Sequence, residues 1–217
     1  MVFHRNLWSY SFVPGRGPNY PCPHCKSGGL VLNEASVQKV GPYHAKSSKL
    51  TDSAFTSVLN CGLCEGSVAL VGYIRKDDVL VPKGIYPAPP IISIPAAAPN
   101  SVVAELNSAF ALFWVDLSSS ANKIRISLER LLDALNVPIA SSLLKRIDSF
   151  QSPDKLQTEV FHALREVGNV GSHGSGVRRD VILAAFEIYE NQLEKLFKPQ
   201  GSRVETLAKK IRSTKGK

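Results

Sequence analysis

Four cysteines fall in two identical spacings, Cys22-Pro-His-Cys25 and Cys61-Gly-Leu-Cys64, and the chain has no others. Two CxxC knuckles, each delivering two thiolates from one tight turn, fit a tetrahedral four-thiolate zinc site. The 35 residues between them exceed the commonest gap, so the interval must form a small insertion or extra strands. A disulfide would need an oxidising compartment, for which nothing in the sequence argues. A redox pair belongs between a strand and a helix, and no helical pattern follows either knuckle. His24, inside the first knuckle, and His44, between the two, are surplus to a site that four sulfurs already complete. A closed site keeps no position for water, so the expected zinc is structural.

A second set of residues lies in HALREVGNVGSHG, residues 162–174. Arg165, Asn169 and His173 are spaced i, i+4, i+8, so a continuous helix stacks them in one line. They form either a catalytic face or the polar side of a helix running out into a loop. On a helical wheel Leu156, Val160, Leu164 and Val167 share an arc of roughly 80° that reads as core. His162, Arg165, Glu166, Asn169 and His173 lie on the opposite side. Gly168 and Gly171 flank Asn169, and each costs a helix about 1 kcal/mol against alanine, a cost with a purpose where another backbone comes close. The expected neighbour is a second subunit.

The elements that must position these groups divide the chain in four. Residues 1–81 are expected to form a small β zinc ribbon, with strands in Gly29-Leu-Val-Leu32 and in Ser67–Ile74. Residues 82–99 hold Pro82, Pro87, Pro89, Pro90, Pro95 and Pro99, a density that excludes helix and central strand and reads as a Pro-rich linker. Residues 100–198 turn to a 3.6-residue period and read as an all-α bundle of about five helices. These cover 101–117, 121–135, 141–150, a fourth opened by Ser152-Pro153-Asp154, and 177–197. Residues 199–217 are a basic tail.

The chain has 217 residues, 44% of them hydrophobic, and a net charge of +8. From Gly201 onward the tail carries +5 of that charge, leaving +3 for the body. Such a tail is either a solvated end or a salt-sensitive contact to nucleic-acid phosphates. No apolar run approaches the ~20 residues of a membrane span. The start, MVFHRNLWSYSFV, has no continuous apolar region of a signal peptide. A cytoplasmic protein with no membrane partner is expected.

The segment LREVGNVGSHG resembles the signature of the HEPN superfamily, in the little-characterised branch that joins an N-terminal zinc ribbon to a helical domain. IRISLERLLDAL, residues 124–135, is similar to an earlier helix of that branch, in which an arginine and then a glutamate precede a leucine-rich stretch; here these are Arg125 and Glu129. The ribbon, the connector and both helical segments follow the family's order. The superfamily's usual motif is an arginine, a polar residue, three further residues and a histidine. Asn169 and His173 fit the last two named positions, Gly168 stands at the arginine position, and Arg165 lies about one turn earlier.

The resemblance implies a HEPN-like bundle that forms a homodimer or higher homo-oligomer, with the motif residues converging at the interface. It also implies a metal-independent endoribonuclease of an anti-phage or toxin-type system, with RNA as substrate. In that chemistry His173, near its ordinary pKa of ~6.5, exchanges a proton with the 2′-hydroxyl. Arg165 holds phosphate oxygens with its planar fork, and Asn169 orients the histidine or the phosphate. The products are a 2′,3′-cyclic phosphate and a free 5′-hydroxyl. The ribbon is then the sensing or assembly module, engaged by a phage protein or another protein activator. The alternative is a non-catalytic adaptor that binds nucleic acid or protein in restriction or defence. No Gly-x-Ser-x-Gly, phosphate-binding glycine loop or His-Glu-x-x-His helix supports other hydrolytic chemistry.

Overall fold

The computed structural model describes residues 3–9, 11–43, 52–152, 154–172, 176–197 and 202–214. His44, Pro153 and His173, named above, lie outside the described residues, as do Gly201 and the last three residues of the basic tail.

The first half is an antiparallel meander. Five strands follow in sheet order as in sequence: β1 (Tyr20–Pro21), β2 (Gly29–Pro42), β3 (Ser53–Cys61), β4 (Ser67–Ile74) and β5 (Leu80–Tyr86). Each knuckle serves as a turn, Cys22–Gly28 between β1 and β2 and Cys61–Gly66 between β3 and β4. Alternate residues of β4 (Val68, Leu70) point inward, as the period of two requires. The segment before β1 exchanges two backbone hydrogen bonds, of 3.1 and 2.9 Å, between Phe12 and Leu80 at the start of β5. Its continuation pairs with β2 through Tyr20 and Leu30. One stretch of chain thus touches both ends of the meander, and the sheet curls.

This corrects the expected small zinc ribbon on a Pro-rich linker. The sheet spans residues 20–86, and its fifth strand runs on through residues 82–86 of the stretch read as linker. Pro82 is tolerated because β5 has only one full ladder partner, so a missing N–H need not break a central hydrogen-bond row. It pairs opposite Gly72, where the β4–β5 register shifts. The interval between the knuckles is no minor insertion either, since it supplies the 14-residue β2 and the 9-residue β3.

The second half is helical: α1 (Asn100–Val115), α2 (Leu117–Ala134), α3 (Leu143–Asp148), α4 (Lys155–Ser172), α5 (Arg179–Phe197) and α6 (Ser202–Ser213). Asp116 alone separates α1 from α2. Its carboxylate accepts from the Ser118 and Ser119 amides at 2.9 and 3.2 Å, so the serines form the first turn of α2. The segment read as a loose tail is helical over Ser202–Ser213, and Leu207 and Ile211 are exposed on it.

Sheet and helices share one continuous hydrophobic core, in which Leu30, Leu59, Leu70 and Ile85 join Val102, Phe110, Phe113 and Phe186. Aromatic rings close the junction: Trp8 stacks on Tyr20 at 5.2 Å, and Tyr20 meets Trp114 at 5.2 Å. The Arg179 guanidinium lies 4.1 Å from the Phe113 ring centroid. The stretch after β5 is also anchored. Ile91 and Ile92 are buried, and the Ser93 amide donates to the Glu190 carboxylate at 2.7 Å.

Candidate metal centre and the α2–α4 seam

The two knuckles are built alike. Cys22 N–H donates to Gly28 O at 2.8 Å and Cys61 N–H to Gly66 O at 2.9 Å. Lys26 and Glu65, each four residues past the first cysteine of its knuckle, turn the chain with φ of 58° and 59°. Backbone amides then point at sulfur, with Gly28 N–H 3.3 Å from the Cys25 Sγ. The Ser27 and Gly28 amides hold the Cys25 thiol down to about 6. The Cys64 and Leu63 amides lower that of Cys61 in the same way.

The four Sγ atoms lie within 4.8 Å of one another, and no disulfide joins them. Cys22 and Cys64 are 3.8 Å apart, and Cys25 and Cys61 are 3.7 Å apart. A tetrahedron with sulfur bonds of ~2.3 Å has edges of about 3.8 Å. The cluster therefore fits a single metal ion held by four thiolates. Glycine is required beside it: a Cβ on Gly28 would run into the Cys61 sulfur, and one on Gly66 would lie 2.6 Å from the His24 ring. His24 Nε2 sits 3.0 Å from the Ser67 carbonyl, so its ring braces the second knuckle rather than joining the sulfurs.

The polar set of α4 is placed differently from the wheel. The buried residues of α4 are Gln157, Val160, Phe161, Leu164 and Gly168, whereas Leu156 is exposed. The core stripe is rotated toward Phe161 and Gly168 because α2 crosses α4 on that side. A Cβ on Gly168 would collide with the Arg125 Cβ. One on Gly171 would lie 2.5 Å from the Ser118 carbonyl oxygen and 2.9 Å from the Ala121 Cβ. The close neighbour that the two glycines admit is α2 of the same chain.

That crossing draws the polar residues to the edge of a seam. Arg165 is no longer opposite the core; only 17% of its side chain is exposed, and it is ion-paired with Glu166. Asn169, one turn on, is half-buried. Arg125 of α2 lies against Gly168 and pairs with Glu129 at 3.2 Å. The Nε atoms of Arg125 and Arg165 are both buried without a hydrogen-bond partner among the described residues. His162 is taken away from this group, its Nε2 lying 3.1 Å from Asp148 of α3. His173 lies just past α4, outside the described residues. In the sequence Arg125 stands out only through the family likeness; the signal for its place on the seam is Gly168, which faces it.

Other charged residues are structural. Arg146 is buried and donates to Asp133 at 2.7 Å and to the Val137 carbonyl at 2.8 Å, fastening α3 to the end of α2. Arg146 keeps the Asp133 carboxyl below its usual range. No helix among the described residues is long and apolar enough to cross a membrane.

Comparisons with curated proteins and with solved structures return no match. Residues 107–214, which run from within α1 through α6 and contain the whole seam, match the family model described as Domain of unknown function (DUF4145).

Proposed function

We propose that this protein is a metal-independent endoribonuclease of an anti-phage or toxin-type system, with its site on the α2–α4 seam. One observation carries the reading: Arg165 and Asn169 lie one turn apart on the same half-buried edge of α4. A seam that screens an arginine from bulk water strengthens its hold on a phosphate. Arg165 binds the scissile phosphate, Asn169 orients it, and His173 exchanges the proton of the 2′-hydroxyl. The four-thiolate centre holds zinc in a purely structural role, because four sulfurs leave no ligand position for water. Thiolates maintained in this form suit the reducing cytoplasm. The family likeness, rather than the glycines, supports a homodimer, and the sheet is the surface offered to a protein activator.

The test is RNA-end sequencing after induction of the wild type, R165A and H173A, with and without phage challenge. The expected result is a set of 2′,3′-cyclic phosphate and 5′-hydroxyl ends present only with the wild type. Identical ends from all three proteins under both conditions overturn the reading. A non-catalytic adaptor for nucleic acid or protein is the second reading, favoured by the Glu166 carboxylate already engaging Arg165. RNA binding that persists in H173A, with no cleavage by the wild type, selects it.

A further inference from the structure

Gly168 is buried, and the space its missing side chain leaves is filled from another helix. A Cβ there would meet three successive atoms of the Arg125 stem, Cβ first, with Cδ at 3.0 Å and Cγ at 3.1 Å. The arginine of α2 therefore lies across α4 at the residue immediately before Asn169. Its guanidinium uses Nη2 for Glu129, while its Nε is buried with no partner among the described residues. Arg165 repeats the arrangement one turn away, with Nη2 on Glu166 and a buried, unpartnered Nε. Each of the two arginines is thus held by a neighbouring carboxylate and keeps a buried Nε.

We infer that Arg125 is a second phosphate-contacting residue of the seam, and that glycine stands at 168 to let its side chain reach the site from α2. The inference rests on the RNA reading above and extends it to a residue on a different helix. An RNA phosphate offers each guanidinium acceptor oxygens matched to its planar fork. In the free protein Glu129 and Glu166 occupy those forks and hold them in place. Binding exchanges carboxylate for phosphate, so the net positive charge that meets RNA appears only as the carboxylates are displaced. Glu129 and Glu166 thereby also set a threshold against weakly charged ligands.

The experiment is the salt dependence of binding between full-length protein and a fluorescent single-stranded RNA oligonucleotide, measured by anisotropy. Each phosphate contact to a single strand contributes about 0.7 to the slope of log K against log salt. The basic helix α6 adds equally to every variant and cancels from the comparison. R125A is expected to lower the slope by about 0.7, as R165A does, while R125K keeps the wild-type slope at weaker affinity. E129Q is expected to tighten binding severalfold. If R165A loses slope but R125A retains all of it, the inference about Arg125 is overturned while the RNA reading stands. If the wild type shows no salt-dependent binding to RNA, the RNA reading falls and takes this inference with it. Loss of folding does not mimic the expected result, because an unfolded fraction lowers the active concentration without changing the slope.

Discussion

Replacing Gly171 by alanine tests the α2–α4 crossing through the sign of its effect. On an open helix face the change is stabilising by roughly 0.5–1 kcal/mol, because alanine is the better helix former. Here the new methyl would lie 2.5 Å from the Ser118 carbonyl oxygen and 2.9 Å from the Ala121 Cβ, both rigid parts of α2. Overpacking costs about 1–3 kcal/mol, and two rigid contacts place it in the upper half of that range, so after the helix-propensity gain the net effect is a loss of about 1–2 kcal/mol. For a chain of this size that corresponds to a fall in Tm of roughly 2–8 °C. Differential scanning calorimetry at two protein concentrations tenfold apart reads it directly. Because the contact is within one chain, the shift should be the same at both. A rise in Tm for Gly171→Ala refutes the crossing; a fall that appears at only one concentration would put the glycines at a subunit interface instead.

Metal removal should act on the whole chain. Binding at a structural four-thiolate site is worth on the order of 10 kcal/mol, and the sheet shares its core with the helices. C61S should therefore bind no metal by elemental analysis and should lose sheet and helix signals in one transition; two separate transitions would refute the shared core. Arg146→Met leaves the Val137 carbonyl without this donor and Asp133 with Arg130 at 3.5 Å in its place, and should cost about 2 kcal/mol in urea titration. Burial pushes the Glu190 carboxyl up, against the Ser93 amide that favours its charged form. An acid with a raised folded-state pKa withdraws stability as pH climbs from its unfolded pKa through its folded one. Glu190→Gln should thus be more stable than the wild type at pH 7, with the gap closing toward pH 4. A gap that is constant across this range would contradict the burial argument.

The parts legible in sequence were those with a local signature. Two equal cysteine spacings imply one cluster because the turn that presents each pair is encoded within a few residues, and the four sulfurs do converge. Helical periodicity likewise marks α1, α2 and α5, whose buried residues recur every three or four positions. The fifth strand was hidden because proline composition masks an edge strand, in which Pro82 costs little. The orientation of α4 was hidden for a different reason. A wheel weights Leu156 and Val167 by hydropathy, but the close approach of α2 is made by the absence of side chains at Gly168 and Gly171. Tertiary contact, not amphipathicity, decides which side of α4 is buried. The same cause moved Arg165 from the solvated face to the seam edge.

The N-terminal segment has a consequence for the order in which the molecule can be made. Arg5 pairs with Glu187, the Arg179 guanidinium covers Phe113 beside Trp8, and Ser93 is held by Glu190. The sheet is complete in sequence at Tyr86, yet the partners of the segments that flank it lie on α5, which ends at Phe197. Roughly 110 residues must leave the ribosome in between, which at about 5–20 residues per second takes roughly 5–20 s. During that interval the aromatic junction around Trp8, Tyr20 and Trp114 waits for its last layer. The contacts that α5 makes with the N-terminal segment and with the stretch after β5 can therefore form only after nearly the whole helical half has been made.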